Sequence, residues 1–248
     1  MKVAVLSFSG NVGKSTIARH LLAPRLPGSR VIAIESVNAG EDEDHVIRGR
    51  QFAELQEFMQ LVDNVIVDIG ASNVEDLLGL MRRYRGSHED FDVFIVPAVA
   101  ARKQQRDTMA TLAELSRLGV PADKVRVVFN MVDERAELKQ AFGPLLSFLQ
   151  EAPLARCSLD ACLELNEVYA LMNGSGTDLR TVAADPTDYK AEIVAAPDTA
   201  TRVSLARRLA RRRLALGVLP ALDDCFAALD LQGVEVPQAM PSAVGAAS

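Results

Sequence analysis

The sequence has no tryptophan, and only 5% of its residues are aromatic, which argues against binding by stacking of bases on aromatic platforms. Cysteine is scarce. Cys157, Cys162 and Cys225 cannot all pair with one another and follow no zinc-ligand spacing, so the expected setting is a reducing cytoplasm. His20, His45 and His88 stand singly along the chain with no His or Cys beside them, which argues against a structural metal. No apolar run approaches the ~20 residues needed to span a bilayer. The first residues carry one lysine and a short apolar stretch, Val3 to Leu6, without a secretory cleavage pattern. Positive charge is in deficit as well. Lys plus Arg number 27 against 33 Asp plus Glu, a net charge of −6, so the surface as a whole is not built for nucleic acid. A local basic patch remains compatible with that balance.

What is present is a regular alternation. Val3 to Leu6, Val31 to Ile34, Asn64 to Val67, Val93 to Val96 and Val125 to Phe129 read as strands, with a weaker one near 154–156. Between them apolar residues recur at helical spacing, first from Ser15 to Leu22 and later in the sets Phe52, Leu55, Phe58, Met59 and Leu77, Leu80, Met81, Tyr84. A further set is Met109, Leu112, Leu115, Leu118, and one more helix is expected over 134–149. Strands apolar at every position must be covered on both faces, the condition of a parallel sheet with crossover helices. The expected fold is therefore a doubly wound, mostly parallel α/β sheet, with ligand at the carboxyl ends of its strands. The expected organisation is an α/β domain over 1–217 ending in a basic helix, a short amphipathic helix over 218–231 starting near Pro220, and an unstructured tail over 232–248.

The sharpest motif is Ser7-Phe8-Ser9-Gly10-Asn11-Val12-Gly13-Lys14-Ser15-Thr16, between the first strand and the first helix, where a phosphate loop belongs. Gly10 and Gly13 let backbone N–H groups approach phosphate oxygens, and Asn11 tolerates a left-handed conformation. Lys14 supplies a mobile positive charge for the β- and γ-phosphates. Ser15 is placed to ligate Mg²⁺, and the helix start adds partial positive charge. Asp68, ending the third strand, could hold Mg²⁺ through water or cap the next helix. Glu35, ending the second strand, is an acid of the site or of a solvated loop. Asn130 has the donor and acceptor that a purine edge requires. Asp133 three residues later gives a guanine-reading spacing, which keeps GTP open.

The strict phosphate-loop pattern has glycine where this chain has Phe8. The loop resembles that of the ParA/MinD-type deviant phosphate-loop ATPases, through Gly10, Val12, Gly13, Lys14, Ser15 and Thr16. The resemblance covers about 1–172 in the order of strands and motifs. The opening through Leu22 is more narrowly similar to StbB/TraL-type stability proteins of conjugative plasmids. The likeness implies phosphate binding by residues 10–16, magnesium held by Ser15 and Asp68, catalytic roles for Lys14, Asp68 and Glu35, and adenine contact by Asn130, which makes ATP the first choice of nucleotide and GTP the second. It also implies a nucleotide-dependent homodimer, a plasmid-encoded partner, and a role in plasmid partition, plasmid stability or conjugation.

Two departures matter. The family's signature lysine, which reaches across the dimer to the partner's phosphates, falls at Ser9. Its second acidic residue, which positions the attacking water, falls at Val37, leaving Glu35 or Asn38 as substitutes. Positioning and charge neutralisation supply most of phosphoryl-transfer catalysis, so the expectation is nucleotide binding with slow hydrolysis.

The segment Thr201 to Leu216 carries Arg202, Arg207, Arg208, Arg211, Arg212 and Arg213 and no acid. On a helix, Arg207, Arg208, Arg211 and Arg212 form one stripe suited to DNA backbone, to a partner protein, or merely to solvent. Family members that bind membranes end in an amphipathic helix, which leaves peripheral membrane contact open here, although Asp223, Asp224 and Asp230 disfavour anionic lipid. The competing functions are a small-molecule kinase or synthetase on the same fold, and a scaffold with a vestigial nucleotide site.

Overall fold

The computed structural model describes residues 1–34, 49–133, 137–172 and 177–231. Glu35, Val37, Asn38, the acidic run from Glu41 to Asp44 and the tail over 232–248 lie outside the described residues. Six strands form the sheet: β1 (Lys2–Val5), β2 (Arg30–Ile34), β3 (Val65–Ile69), β4 (Val93–Ala98), β5 (Val125–Val132) and β6 (Cys162–Glu164). Their order is β2-β3-β1-β4-β5-β6, and every pairing is parallel. The doubly wound α/β architecture expected from the apolar runs is the one observed. Among the described residues β2 is an edge strand and is only half covered, whereas β3 and β4 are buried throughout.

Side chains alternate across the sheet and divide the core in two. Ala4, Phe94, Val96, Val127 and Phe129 pack on one side, against α2 (Gly49–Leu61), α3 (Val74–Arg83), α4 (Arg102–Leu118), α5 (Leu138–Ala141) and α6 (Gly143–Glu151). Val3, Val5, Val93, Ile95 and Val128 pack on the other, against the first helix, α7 (Glu167–Met172), α8 (Leu179–Ala183) and α10 (Thr199–Ala228). The first helix starts as α1 (Lys14–Thr16) and widens to π-type bonding over Ile17–Leu22 before a tight turn over Ala23–Arg25. The remaining helix, α9 (Tyr189–Ala195), packs on α10. Asp178, Asp188 and Asp198, ten residues apart, cap α8, α9 and α10 by accepting from backbone N–H groups of the first turn.

Three expectations need correction. The helix expected over 134–149 is two helices, α5 and α6, broken at Phe142. That side chain is fully buried against Phe129, with ring centroids 4.7 Å apart, and Pro144 cannot donate a helical bond back across the junction. The strand expected near 154–156 makes only one bridge, Arg126 to Arg156, and β6 lies downstream at Cys162. No helix begins at Pro220: α10 runs through it without a break. Pro220 is exposed, so the carbonyl it leaves unpaired can be hydrated, while Ala215, Val218, Leu222 and Cys225 bury one continuous stripe across the junction.

The C-terminal end of α10 is held by a residue with no sequence signal. Arg126 on β5 is 2% exposed. Its Nε donates to the Leu229 carbonyl at 2.6 Å, its Nη2 to the Asp230 carbonyl at 3.2 Å, and its Nη1 to the Asp123 carbonyl. A cation is thereby set at the negative end of the helix dipole. Arg126→Met, of similar length but without donors, is expected to lower stability in urea by about 2–3 kcal/mol, the cost of leaving buried acceptors unpaired. Faster amide exchange over Leu222 to Leu229 than over β3 would accompany it. Unchanged stability would show that the helix end is held by packing alone.

Candidate nucleotide-binding site

The sheet reverses its winding at β1, which lies between β3 and β4, so the loop leaving β1 opens into the crevice where doubly wound sheets bind ligands. The sequence arranges that loop locally. Asn11 has φ 56° and Gly13 has φ 81°, and these two left-handed residues turn the chain back over the sheet. Gly13 then caps α1, contributing no side chain, and its carbonyl accepts the first helical bond from the Ile17 N–H at 2.9 Å. The N–H groups of a first helical turn have no intrahelical acceptor, which makes such a turn a seat for anions. The expected left-handed Asn11 is observed. Gly10 is exposed, and a Cβ there would meet nothing within 4 Å, so its place marks the open side of the loop.

Lys14 is 8% exposed, and its Nζ donates to the Ser9 carbonyl at 2.8 Å. Burial pushes its pKa below the ordinary lysine value, and the charge of Asp68 partly opposes that shift. Asp68 is buried on β3 in register with Val5, the last residue of β1, so its carboxylate lies beneath the loop. Ser15 and Thr16 are half-buried in the first turn of α1. A carboxylate and a hydroxyl are hard oxygen donors, a set that suits Mg²⁺ rather than a softer metal. Among the described residues, no group of three or more His, Cys, Asp or Glu could hold a metal by itself.

Asn130 reaches the loop, but its surroundings differ from those expected of a base reader. It is 2% exposed, and its Nδ2 donates to the Val12 carbonyl at 2.8 Å. A Cβ on Gly13 would stand 2.0 Å from that nitrogen. Asn130 therefore braces the loop from below. The pairing of β5 with β6 shifts register between Phe129 and Val132, and Met131 has φ 55°. This irregularity turns Asn130 toward the loop and leaves Met131 part-exposed beside it, as bulges near binding sites commonly do. Asp133 is exposed at the strand end.

Sequence reasoning missed the contribution of α4. Ser9 Oγ donates to Asp107, and Thr111 Oγ1 accepts from the Phe8 N–H at 3.2 Å. Only the i, i+4 spacing of Asp107 and Thr111 on an otherwise apolar-striped helix could have pointed to them.

No protein-family model matches the chain, and no curated protein matches its sequence. Among solved structures, apo McdA of Cyanothece is similar to it at 16% identity and a TM-score of 0.48, over 87% of this chain and 99% of that one. An aspartate-to-alanine variant of Cyanothece McdA in complex with ATP is similar at 14% identity and a TM-score of 0.45, over 88% and 96%. Similarity at that level carries no functional argument. The site rests on its own geometry.

Gly13→Ala would be strained twice, by its left-handed backbone and by the collision with Asn130. It is expected to lose about 1–2 kcal/mol through the backbone alone, more with the clash. Combining it with Asn130→Ala should cost less than the sum of the two single changes in urea unfolding, because the clash is then absent. Strict additivity would show that Asn130 does not press on the loop.

Proposed function

We propose that this chain is a ParA/MinD-like phosphate-loop protein that binds ATP with Mg²⁺ as a switch, with slow or partner-stimulated hydrolysis. The observation that carries the reading is the loop itself: a left-handed Asn11 and Gly13 at the switch point of a parallel sheet, leading into a helix start with Lys14 and Ser15. In the proposed complex the backbone of residues 10–16 holds the phosphates. Lys14 exchanges the Ser9 carbonyl for a phosphate oxygen, and a phosphate restores the solvation that burial takes from its ammonium. Since binding favours the protonated amine, affinity falls as pH rises through the lowered pKa of Lys14. Ser15 and Asp68 would hold Mg²⁺, which when bound neutralises charge on the phosphates. Glu35 remains the proposed additional carboxylate. Base contact through Asn130 would use its remaining amide atoms, and GTP stays the second nucleotide.

The finer assignment, to plasmid stability, partition or conjugative transfer with a plasmid-encoded partner and a nucleotide-dependent homodimer, is supported by the motif resemblance. A cytoplasmic location goes with it. Among the described residues no helix is long and apolar enough to cross a membrane. The basic helix is supported in part as a DNA contact. Arg212 is otherwise engaged, donating to the carbonyls of Asp185 and Thr187 at 2.8 and 2.6 Å and stacking over Tyr189. Arg202 donates to Ala196. Arg207, Arg208, Arg211 and Arg213 form no ion pair with another described residue, and the first three share one helical stripe.

Isothermal titration with ATP–Mg²⁺ tests the switch. Saturable binding by the wild type, lost in Lys14→Ala, supports it. Negligible binding by both supports a vestigial scaffold, and phosphorylation of a metabolite supports a kinase. Turnover without a partner should stay below about 1 per second, under the range of ordinary kinases. For DNA, Arg207→Ala with Arg211→Ala should reduce the slope of log K against log salt by about 2, because each phosphate contact contributes nearly one. An unchanged slope would remove this stripe from the interface.

A further inference from the structure

We propose that Asp107 of α4 is a positioning residue for the phosphate loop, holding Ser9 so that the Ser9 carbonyl keeps Lys14 ready for a polyphosphate. This rests on the nucleotide-binding reading above. Both residues of the loop's first limb are tied to the same helix. Ser9 Oγ donates to Asp107 Oδ2, and Lys103 Nζ donates to the same oxygen at 3.2 Å. One turn further on, Thr111 Oγ1 accepts from the Phe8 N–H and donates to the Asp107 carbonyl at 2.7 Å.

Helix α4 is itself a fixed reference. Thr108 Oγ1 shares its one hydrogen between the Pro97 carbonyl of β4 at 3.3 Å and the Gln104 carbonyl at 3.0 Å. Gln105 Nε2 donates to the carbonyls of Ala100 and Ala141 at 2.6 and 2.9 Å. The path from β4 through α4, Asp107 and Ser9 to Lys14 is thus continuous, with hydrogen bonds joined by short stretches of chain. Ser9 is 2% exposed, so its hydroxyl is turned inward and spent within the chain.

Electrostatics and positioning make opposite demands on Asp107. A carboxylate near a polyphosphate repels it, and Lys103 offsets that charge only in part, being itself largely exposed. If Asp107 acted through its charge, removing it would tighten binding. If it acts by holding Ser9, removing it weakens binding. Its hydrogen bond from Ser9 holds its carboxyl below the usual carboxylate range, so the link stays ionised from neutral pH down through mild acid.

The test is titration of the full chain with ATP–Mg²⁺, with melting temperature recorded for each variant. Ser9→Ala and Asp107→Ala are each expected to weaken binding about tenfold, the worth of one charge-assisted hydrogen bond. Ser9→Thr, which keeps the hydroxyl, should restore wild-type affinity, and the double alanine variant should bind no worse than either single one. Asp107→Asn, which can still accept from Ser9, should fall between. Tighter binding by Asp107→Ala overturns the proposal, as does unchanged affinity in Ser9→Ala while Lys14→Ala abolishes binding. Absence of binding by the wild type overturns the nucleotide reading and the positioning role together.

Discussion

A parallel sheet covered on both faces leaves polar chemistry one outlet, the rim where its strands end. Everything distinctive in this chain follows from that constraint. Val3, Val5, Ile66, Val67, Val128 and Phe129 are fully buried, yet Asp68, Asn130, Ser9 and Lys14 are nearly as deep, toward or just beyond the carboxyl ends of the same strands. Such groups survive burial only if paired. Lys14 lies on a backbone carbonyl and near Asp68, and Asn130 on another carbonyl of the loop. The loop is stabilised by the groups a phosphate would compete for, so a ligand need rearrange little backbone to enter.

Two parts of the sheet support the loop differently. Around β1 the pairing is regular from residue to residue, and the loop above it takes its shape from two left-handed positions. At β5 the pairing slips, and the slip supplies the brace under the loop. Regular strands fix where the loop stands, and an irregular one fixes how it is supported.

Much of this was legible from residue type and order. The apolar strands declared a sheet covered on both sides, and glycine, asparagine, lysine and serine in a fixed order declared the loop. Those signals are local: each depends on residues within one turn or one strand. The contacts that escaped are long-range. Arg126 meets Leu229 across 103 positions, and Ser9 meets Asp107 across 98. Arg126 and Asp107 carry no mark that distinguishes them from ordinary surface residues, and Ser9, although inside the loop motif, gives no sign of which helix it meets. Pro220 misled for a related reason, since its usual meaning as a helix start was overridden by a buried stripe on the opposite side of the helix. At Asn130 the residue type is that of a polar group facing the loop, and it donates to the Val12 carbonyl. Its direction depended on a strand slip that spacing cannot reveal.

Helix α10 is 30 residues long, or about 45 Å at the rise of an α-helix. Its second half lies on the sheet through Ala215, Val218, Leu222 and Cys225, while its first half carries the arginines beside α8 and α9. The helix is therefore gripped along both halves, with Arg212 donating to the Asp185 and Thr187 carbonyls at the arginine end. A rod held at two places resists swinging, so the positive charge is presented from one fixed place on the molecule.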